Sequence, residues 1–214
     1  MLILGIETSG ILCSVAWMNE GRILLEYNIE MPNVHATLLA DLISDGSKKL
    51  QIKNRDIHLV AVALGPGSFT GLRIGMSYAK GFCYGLKIPI IGVTNFDILV
   101  RQAPVNADQV YTLINAGHDK YYLGFFKDGI NLTSAELITS DQILKKMNKK
   151  CIIVINDGTG GDIKGIAQSF PYSIEARYSA GLLCKIAENK LKNKGADDLD
   201  KLEPFYLQPF AGVK

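Results

Sequence analysis

The residues best suited to chemistry lie in short polar turns that end apolar runs. The most conspicuous is Gly65-Pro66-Gly67-Ser68-Phe69-Thr70-Gly71, which joins an apolar stretch to a helical pattern. A glycine-rich turn opening a helix can cradle phosphate, because free N–H groups and the positive end of the helix dipole face the anion. The spacing fits neither common version. A P-loop requires Gly-Lys-Ser/Thr after four intervening residues. Five residues after Gly65 stands Thr70, five after Gly67 stands Leu72, and no lysine follows. A dinucleotide turn requires a third glycine where Thr70 stands, and a leading βαβ unit. Three strands of antiparallel type precede this turn instead.

The same glycines have a second physical use. With Ser68 or Thr70 as cap, Gly71, Gly75, Ala79 and Cys83 recur every four residues and form a narrow small-residue stripe. Glycine inside a helix costs about 1 kcal/mol against alanine, so the stripe needs a packing reason. Close approach of another backbone supplies one, either the chain's own sheet or a partner's helix. The length of the stripe directs the expectation toward a helix–helix contact. Cys13, Cys83, Cys151 and Cys184 contain no C-x-x-C pair and read as small buried hydrophobes in a reducing compartment. His35, His58 and His118 fall in different elements, and one imidazole without partners is a poor metal site.

The elements that must position these residues can be read from periodicity. Strands are expected over 2–9, 11–19, 22–30, 56–65 and 87–94. Helices are expected over 34–49, capped by Asn33, from the glycine turn to about Leu86, and over 95–103. The second half repeats the order, with strands over 109–117, 120–129, 131–139 and 151–160. Its helices fall over 140–149, capped by Ser140, over 161–170, and over 175–193. The result is β-β-β-α-β-α twice, without residue identity between the halves. This is the duplicated α/β order of the actin-like, Hsp70-like (ASKHA) fold. Two lobes are expected, 1–103 and 104–214, divided at Ala-Pro-Val-Asn-Ala (103–107).

Composition sets the outer limits. The 214 residues are 48% hydrophobic and 21% charged, as in a globular protein with a real core, and the net charge of +2 creates no strong field for nucleic acid. The opening Met-Leu-Ile-Leu-Gly-Ile-Glu-Thr-Ser-Gly lacks a basic region, and no run reaches the ~20 apolar residues of a membrane helix. A cytoplasmic protein with no membrane contact is expected.

Together these segments resemble the TsaB (YeaZ) family. Gly-Pro-Gly-Ser-Phe-Thr-Gly-Leu-Arg-Ile-Gly (65–75), Ala-Lys-Gly-Phe (79–82) and Ile-Pro-Ile-Ile-Gly-Val-Thr (88–94) carry the likeness. Residues 4–16, 35–43 and 205–209 extend it over the whole length, densely in the first half and thinly in the second. The resemblance implies a protein needed to make threonylcarbamoyladenosine beside the anticodon of tRNAs reading ANN codons. It implies work with TsaD, which does the transfer chemistry, and with the ATPase TsaE. It also implies a dimer, with TsaD or with itself when alone, through the first two helices. Here that interface maps to His35, Leu38, Leu39, Leu42, Gly71, Leu72, Gly75, Ala79 and Cys83. The paralogue TsaD holds metal with two histidines four apart on the first helix; here His35 is followed at that spacing by Leu39. No catalytic residue, metal or required cofactor is therefore expected.

Actin-like ATPases contact phosphate after the first strand, which places Glu7, Thr8 and Ser9 at a nucleotide position, with Asn115 in a second loop and Asp157 and Gly158 beside an adenosine. Glu7 and Asn115 stand where relatives carry Asp, so only weak binding of ATP or ADP with magnesium is expected. The alternative for Glu7-Thr8-Ser9 is a strand end whose side chains satisfy its own backbone. The alternative function is an actin-fold phosphotransferase acting on a small metabolite. Lys145, Lys146, Lys149 and Lys150 are either a solvated helix end or an indirect contact for tRNA.

Overall fold

A computed structural model describes residues 1–31, 35–132, 135–147, 150–156 and 163–206, apart from the side chains of 163 and 164. The expected cap Asn33, Lys149 and the segment 157–162 lie outside these residues, as does the final Leu-Gln-Pro of the 205–209 motif. By packing, the chain divides into two compact units, Met1–Ile98 with Arg177–Pro204, and Leu99–Ala176.

The first unit is built on β1 (Leu2–Glu7), β2 (Leu12–Asn19), β3 (Arg22–Glu30), β4 (Leu59–Gly65) and β5 (Ile90–Thr94). They lie in the order β3-β2-β1-β4-β5. The first three form an antiparallel meander, and β4 and β5 join β1 in parallel. Glu20 and Gly21 both take positive φ (51° and 77°) and close the β2–β3 hairpin in two residues. Helices α1 (His35–Lys49) and α2 (Phe69–Leu86) are the crossovers that parallel strands require. Both cover one face of the sheet, where Leu4, Ile6, Trp17, Val60 and Val62 meet Leu39, Ile43, Met76 and Ala79.

The second unit repeats the plan. β6 (Gln109–Gly117) and β7 (Lys120–Lys127) are antiparallel, as are the short strands β8 (Ile130–Asn131) and β9 (Glu136–Thr139) against β7. β10 (Ile152–Asn156) and β11 (Ser173–Ala176) then add in parallel beside β6. Helices α4 (Ser140–Lys146) and α5 (Ile163–Gln168) connect them, while α3 (Asn95–Val100) is the stretch over which the chain leaves the first unit. This is the duplicated actin-like order expected from the sequence.

Four expectations need correction. The strand expected over 131–139 is two short pieces. The cap of α4 is Thr139, whose N–H donates to Gln142 Oε1 at 2.9 Å, rather than Ser140. The helix expected from 175 begins at Ala180, because Ser173–Ala176 pair with β10 as a strand. Residues 177–204 also return to the first unit, so the division at 103/104 misplaces them.

The reason lies at the start of the last helix, α6 (Ala180–Lys194). Gly181 N–H and Ser179 Oγ both donate to Glu26 Oε1 of β3, at 3.0 and 2.8 Å. Ala180 N–H donates to Ser14 Oγ of β2 at 3.0 Å. A carboxylate at a helix N-terminus meets both the free N–H groups and the dipole. Sheet residues of the first unit thus cap α6, which packs on the sheet face opposite α1 and α2. The tail beyond it is held there too: Gly92 N–H donates to Asp197 Oδ2, and Lys80 Nζ donates to the carbonyls of Asp200 and Leu202.

Glu26→Ala should therefore destabilise the first unit by about 2 kcal/mol, leaving the Gly181 N–H and Ser179 hydroxyl without their acceptor. Urea unfolding of the parent and variant measures this; an unchanged midpoint would contradict the capping role.

Candidate functional site

The end of β1 is where the sequence places its densest chemistry. Side chains alternate along a strand, so consecutive residues there serve opposite faces. Gly5 faces α6, where a Cβ would lie 2.6 Å from both the Ala180 carbonyl oxygen and Cys184 Sγ. Ile6 and Thr8 face α2. Glu7 faces the α6 side again.

On the α2 side the contact is backbone to backbone. A Cβ on Gly71 would lie 1.9 Å from the Thr8 carbonyl oxygen, and one on Gly75 would lie 2.4 Å from Thr8 Oγ1. Thr8 Oγ1 donates to the Gly71 carbonyl at 2.7 Å. Ser68, the cap of α2, donates its N–H to the Ser9 carbonyl at 2.7 Å, and its Oγ accepts from Gly71 N–H. A Cβ on Gly67 would meet that same Ser9 carbonyl at 2.5 Å. The glycine turn therefore seats α2 directly on the end of β1.

This corrects the interface expectation. Gly71, Leu72, Gly75, Ala79 and Cys83 are buried against the chain's own sheet, and Leu39 and Leu42 are core residues. His35 and Leu38 are half-buried, and His35 Nε2 sits 3.1 Å from the Leu12 carbonyl oxygen. The stripe is small because β1 is close.

On the other face Glu7, Ser9 and Asn95 form a buried polar group. Glu7 Oε1 accepts from Ser9 N–H at 2.7 Å and from the Ser9 hydroxyl. Asn95 Nδ2 donates to Ser9 Oγ at 2.6 Å and to the Pro66 carbonyl at 2.8 Å. Burial pushes the Glu7 carboxyl up to about 7, against the lowering effect of its Ser9 hydrogen bonds. Burial, with the Glu7 charge second, pushes the Cys13 thiol up to about 11.

The nucleotide expectation is only partly brought together. Glu7, Thr8 and Ser9 are adjacent, but all three are buried and their hydrogen bonds go to the chain itself. Asn115 belongs to the second unit, where its Oδ1 accepts from Gly117 N–H at 2.7 Å. Asp157 and Gly158 lie outside the described residues. Sequence reasoning missed Asn95 and Tyr178 as members of the polar group. Asn95 has the signature of a helix cap, and Tyr178 falls inside a pattern that reads as helix.

Comparison with known proteins follows the same lines. The family model described as TsaD, tRNA N6-adenosine threonylcarbamoyltransferase, matches residues 31–196. The TsaB protein of Buchnera aphidicola subsp. Schizaphis graminum is 30% identical over 163 residues, covering 72% of this chain and 77% of its own. The chain belongs to the TsaB/YeaZ family. Another member, TsaB of Bacillus subtilis, is 25% identical across 97% of this chain and 94% of its own. In three dimensions YeaZ from Pseudomonas aeruginosa superposes with a TM-score of 0.81 at 23% identity, covering 96% of this chain and 99% of that one. The family's glycine motif is thus a structural joint in this member.

Two substitutions separate the joint from the helix surface. Gly71→Ala should cost about 2–4 kcal/mol, because the methyl group overlaps a backbone oxygen that cannot move alone. Gly81→Ala meets nothing within 4 Å and should be neutral or stabilising by up to about 1 kcal/mol. Thermal unfolding of the pair tests the assignment of inward and outward faces.

Proposed function

We propose that this chain is a non-catalytic partner of TsaD in the threonylcarbamoyladenosine modification of tRNA next to the anticodon. Family membership supports the pathway. The observation that carries the non-catalytic reading is Leu39. It stands one helical turn after His35, where a second metal-binding imidazole would be needed, and it is an apolar core side chain 1% exposed. His35 itself is committed to the Leu12 carbonyl. The buried side chains of Glu7, Thr8 and Ser9 weigh against the phosphotransferase alternative.

The partner surface on this reading is the outward face of the first two helices. Ala36, Ala40 and Ser44 form an exposed stripe on α1, and Ser77, Gly81 and Gly85 form one on α2. Both repeat every four residues, and both point away from the sheet. Tyr84, 77% exposed, stands beside the α2 stripe and supplies a large amphipathic anchor. Small residues let a partner helix approach closely, and the aromatic residue fills what it meets. TsaD occupies this face in the working complex and a second copy occupies it when TsaD is absent. TsaE and tRNA join the same assembly, nucleotide with magnesium is not required by this chain, and its place is the cytoplasm.

The test is reconstitution of the modification with TsaD, TsaE, threonylcarbamoyl-adenylate and tRNA. Omitting this chain should abolish product; undiminished product without it would defeat the proposal. Gly81→Leu and Tyr84→Ala should each weaken TsaD binding by about tenfold or more with little change in melting temperature. Gly75→Leu should instead lower the melting temperature, since its side chain would enter the sheet packing. Sedimentation and calorimetry distinguish these outcomes.

A further inference from the structure

Three side-chain atoms near the end of β1 are buried without a hydrogen-bond partner: Glu7 Oε2, Asn95 Oδ1 and the Tyr178 hydroxyl. Tyr178 packs at the end of β1, where a Cβ on Gly10 would lie 2.8 Å from its ring. What each can do follows from its bonding. The Pro66 carbonyl can only accept, so Asn95 must turn its Nδ2 toward it, and the same Nδ2 serves Ser9 Oγ. Asn95 Oδ1 is therefore an acceptor. The Tyr178 hydroxyl donates one hydrogen and can accept another.

Glu7 decides the balance. As a carboxylate it would hold a full charge in a wholly buried site, with one oxygen unpartnered; as a carboxylic acid it buries no charge. Among the described residues Glu7 is in no ion pair. Ser14 is its cross-strand partner on β2, Cys13 lies on the other face of the sheet, and Tyr178 lies on the approach to α6. Glu26 at the start of α6 is itself acidic, and Asp97 of α3 is held by Thr94 Oγ1. Arg177 turns outward to Glu30, and Arg73 of α2 lies exposed over the Phe69 ring.

We propose that Glu7 is a resident carboxylic acid, a proton-carrying latch. It belongs to a hydrogen-bonded node that joins the end of β1, the 65–71 turn and the start of α3. The linkage has a definite sign. The unfolded carboxyl ionises at its ordinary value of 4.5, whereas the folded one keeps its proton to about 7. Between these values the folded state binds more protons, so its stability falls as pH rises through the window and levels off above it. The full effect on the unfolding equilibrium is up to about 300-fold. Ser68, the cap of α2, is bonded to Ser9, so the node also sets the start of the helix that bears the proposed partner face. Weaker TsaD binding across the same window rests on that functional reading.

The experiment uses the full chain. Infrared or carbon-13 carboxyl spectroscopy across about pH 5 to pH 8 should show one un-ionised acid that disappears on Glu7→Gln. Glutamine keeps the acceptor at Oε1 and places a permanent donor where the acid proton sits. Relative to E7Q, the parent should lose stability as pH rises through the window, and E7Q should match or exceed it at the upper end. Parallel pH curves for the two proteins, or an ionised Glu7 at the lower end, would overturn the proposal. So would a requirement for added sodium or potassium, which points to a bound cation instead. Should E7Q fail to fold, the titration of the parent carboxyl decides alone. A normal latch with TsaD affinity that ignores pH would refute only the coupling to the partner face.

Discussion

The first unit depends on how closely α2 can approach the end of β1. A helix seated with its first turns against a strand's carbonyls must lack side chains there, and the contact must satisfy the backbone groups it buries. Gly67, Gly71 and Gly75 meet the first demand. The Thr8 hydroxyl on the Gly71 carbonyl and the Ser68 N–H on the Ser9 carbonyl meet the second. With α2 fixed in this way, β4 and β5 lie at set positions beside β1, and α1 closes the same face over Trp17. A Cβ on Gly46 of α1 would enter the Trp17 ring at 2.2 Å, so this second helix is also seated by a glycine.

The same strand end works on its opposite face, and the alternation of side chains makes this possible. Thr8 serves α2 while Glu7 and Ser9 serve α3 through Asn95. Hydroxyl, carboxyl and amide groups that could have lined an open phosphate site are spent on joining segments distant in sequence. The joint beneath α2 leaves its outer face with small residues and the exposed Tyr84.

Much of this was legible from residue order. The alternation of apolar runs and polar turns located the strands and helices, and their succession identified a duplicated plan before any contact was known. The glycine stripe was legible as a demand for close packing. Its direction was not, because a period of four residues defines a face of a helix without saying what lies opposite. The stripe that faces outward, Ser77-Gly81-Gly85, has the same period and similar residues. Only the position of β1 tells them apart. Strand β11 was hidden for a related reason: four residues whose strand identity comes from pairing with β10 carry little periodicity of their own.

The amino-acid sequence by itself determined most of the elements, the duplicated order, the family and the need for a close contact after β4. Each rests on local pattern or on a motif long enough to be specific. Tertiary structure decided which glycines face inward and that α6 belongs to the first unit through Glu26 and Ser14. It also decided that Glu7, Ser9, Asn95 and Tyr178 form one buried group. Apart from the local Glu7–Ser9 pair, the hydrogen bonds that fix these groups join residues from 29 to 166 positions apart, and no local pattern encodes a partner that only the fold brings within reach.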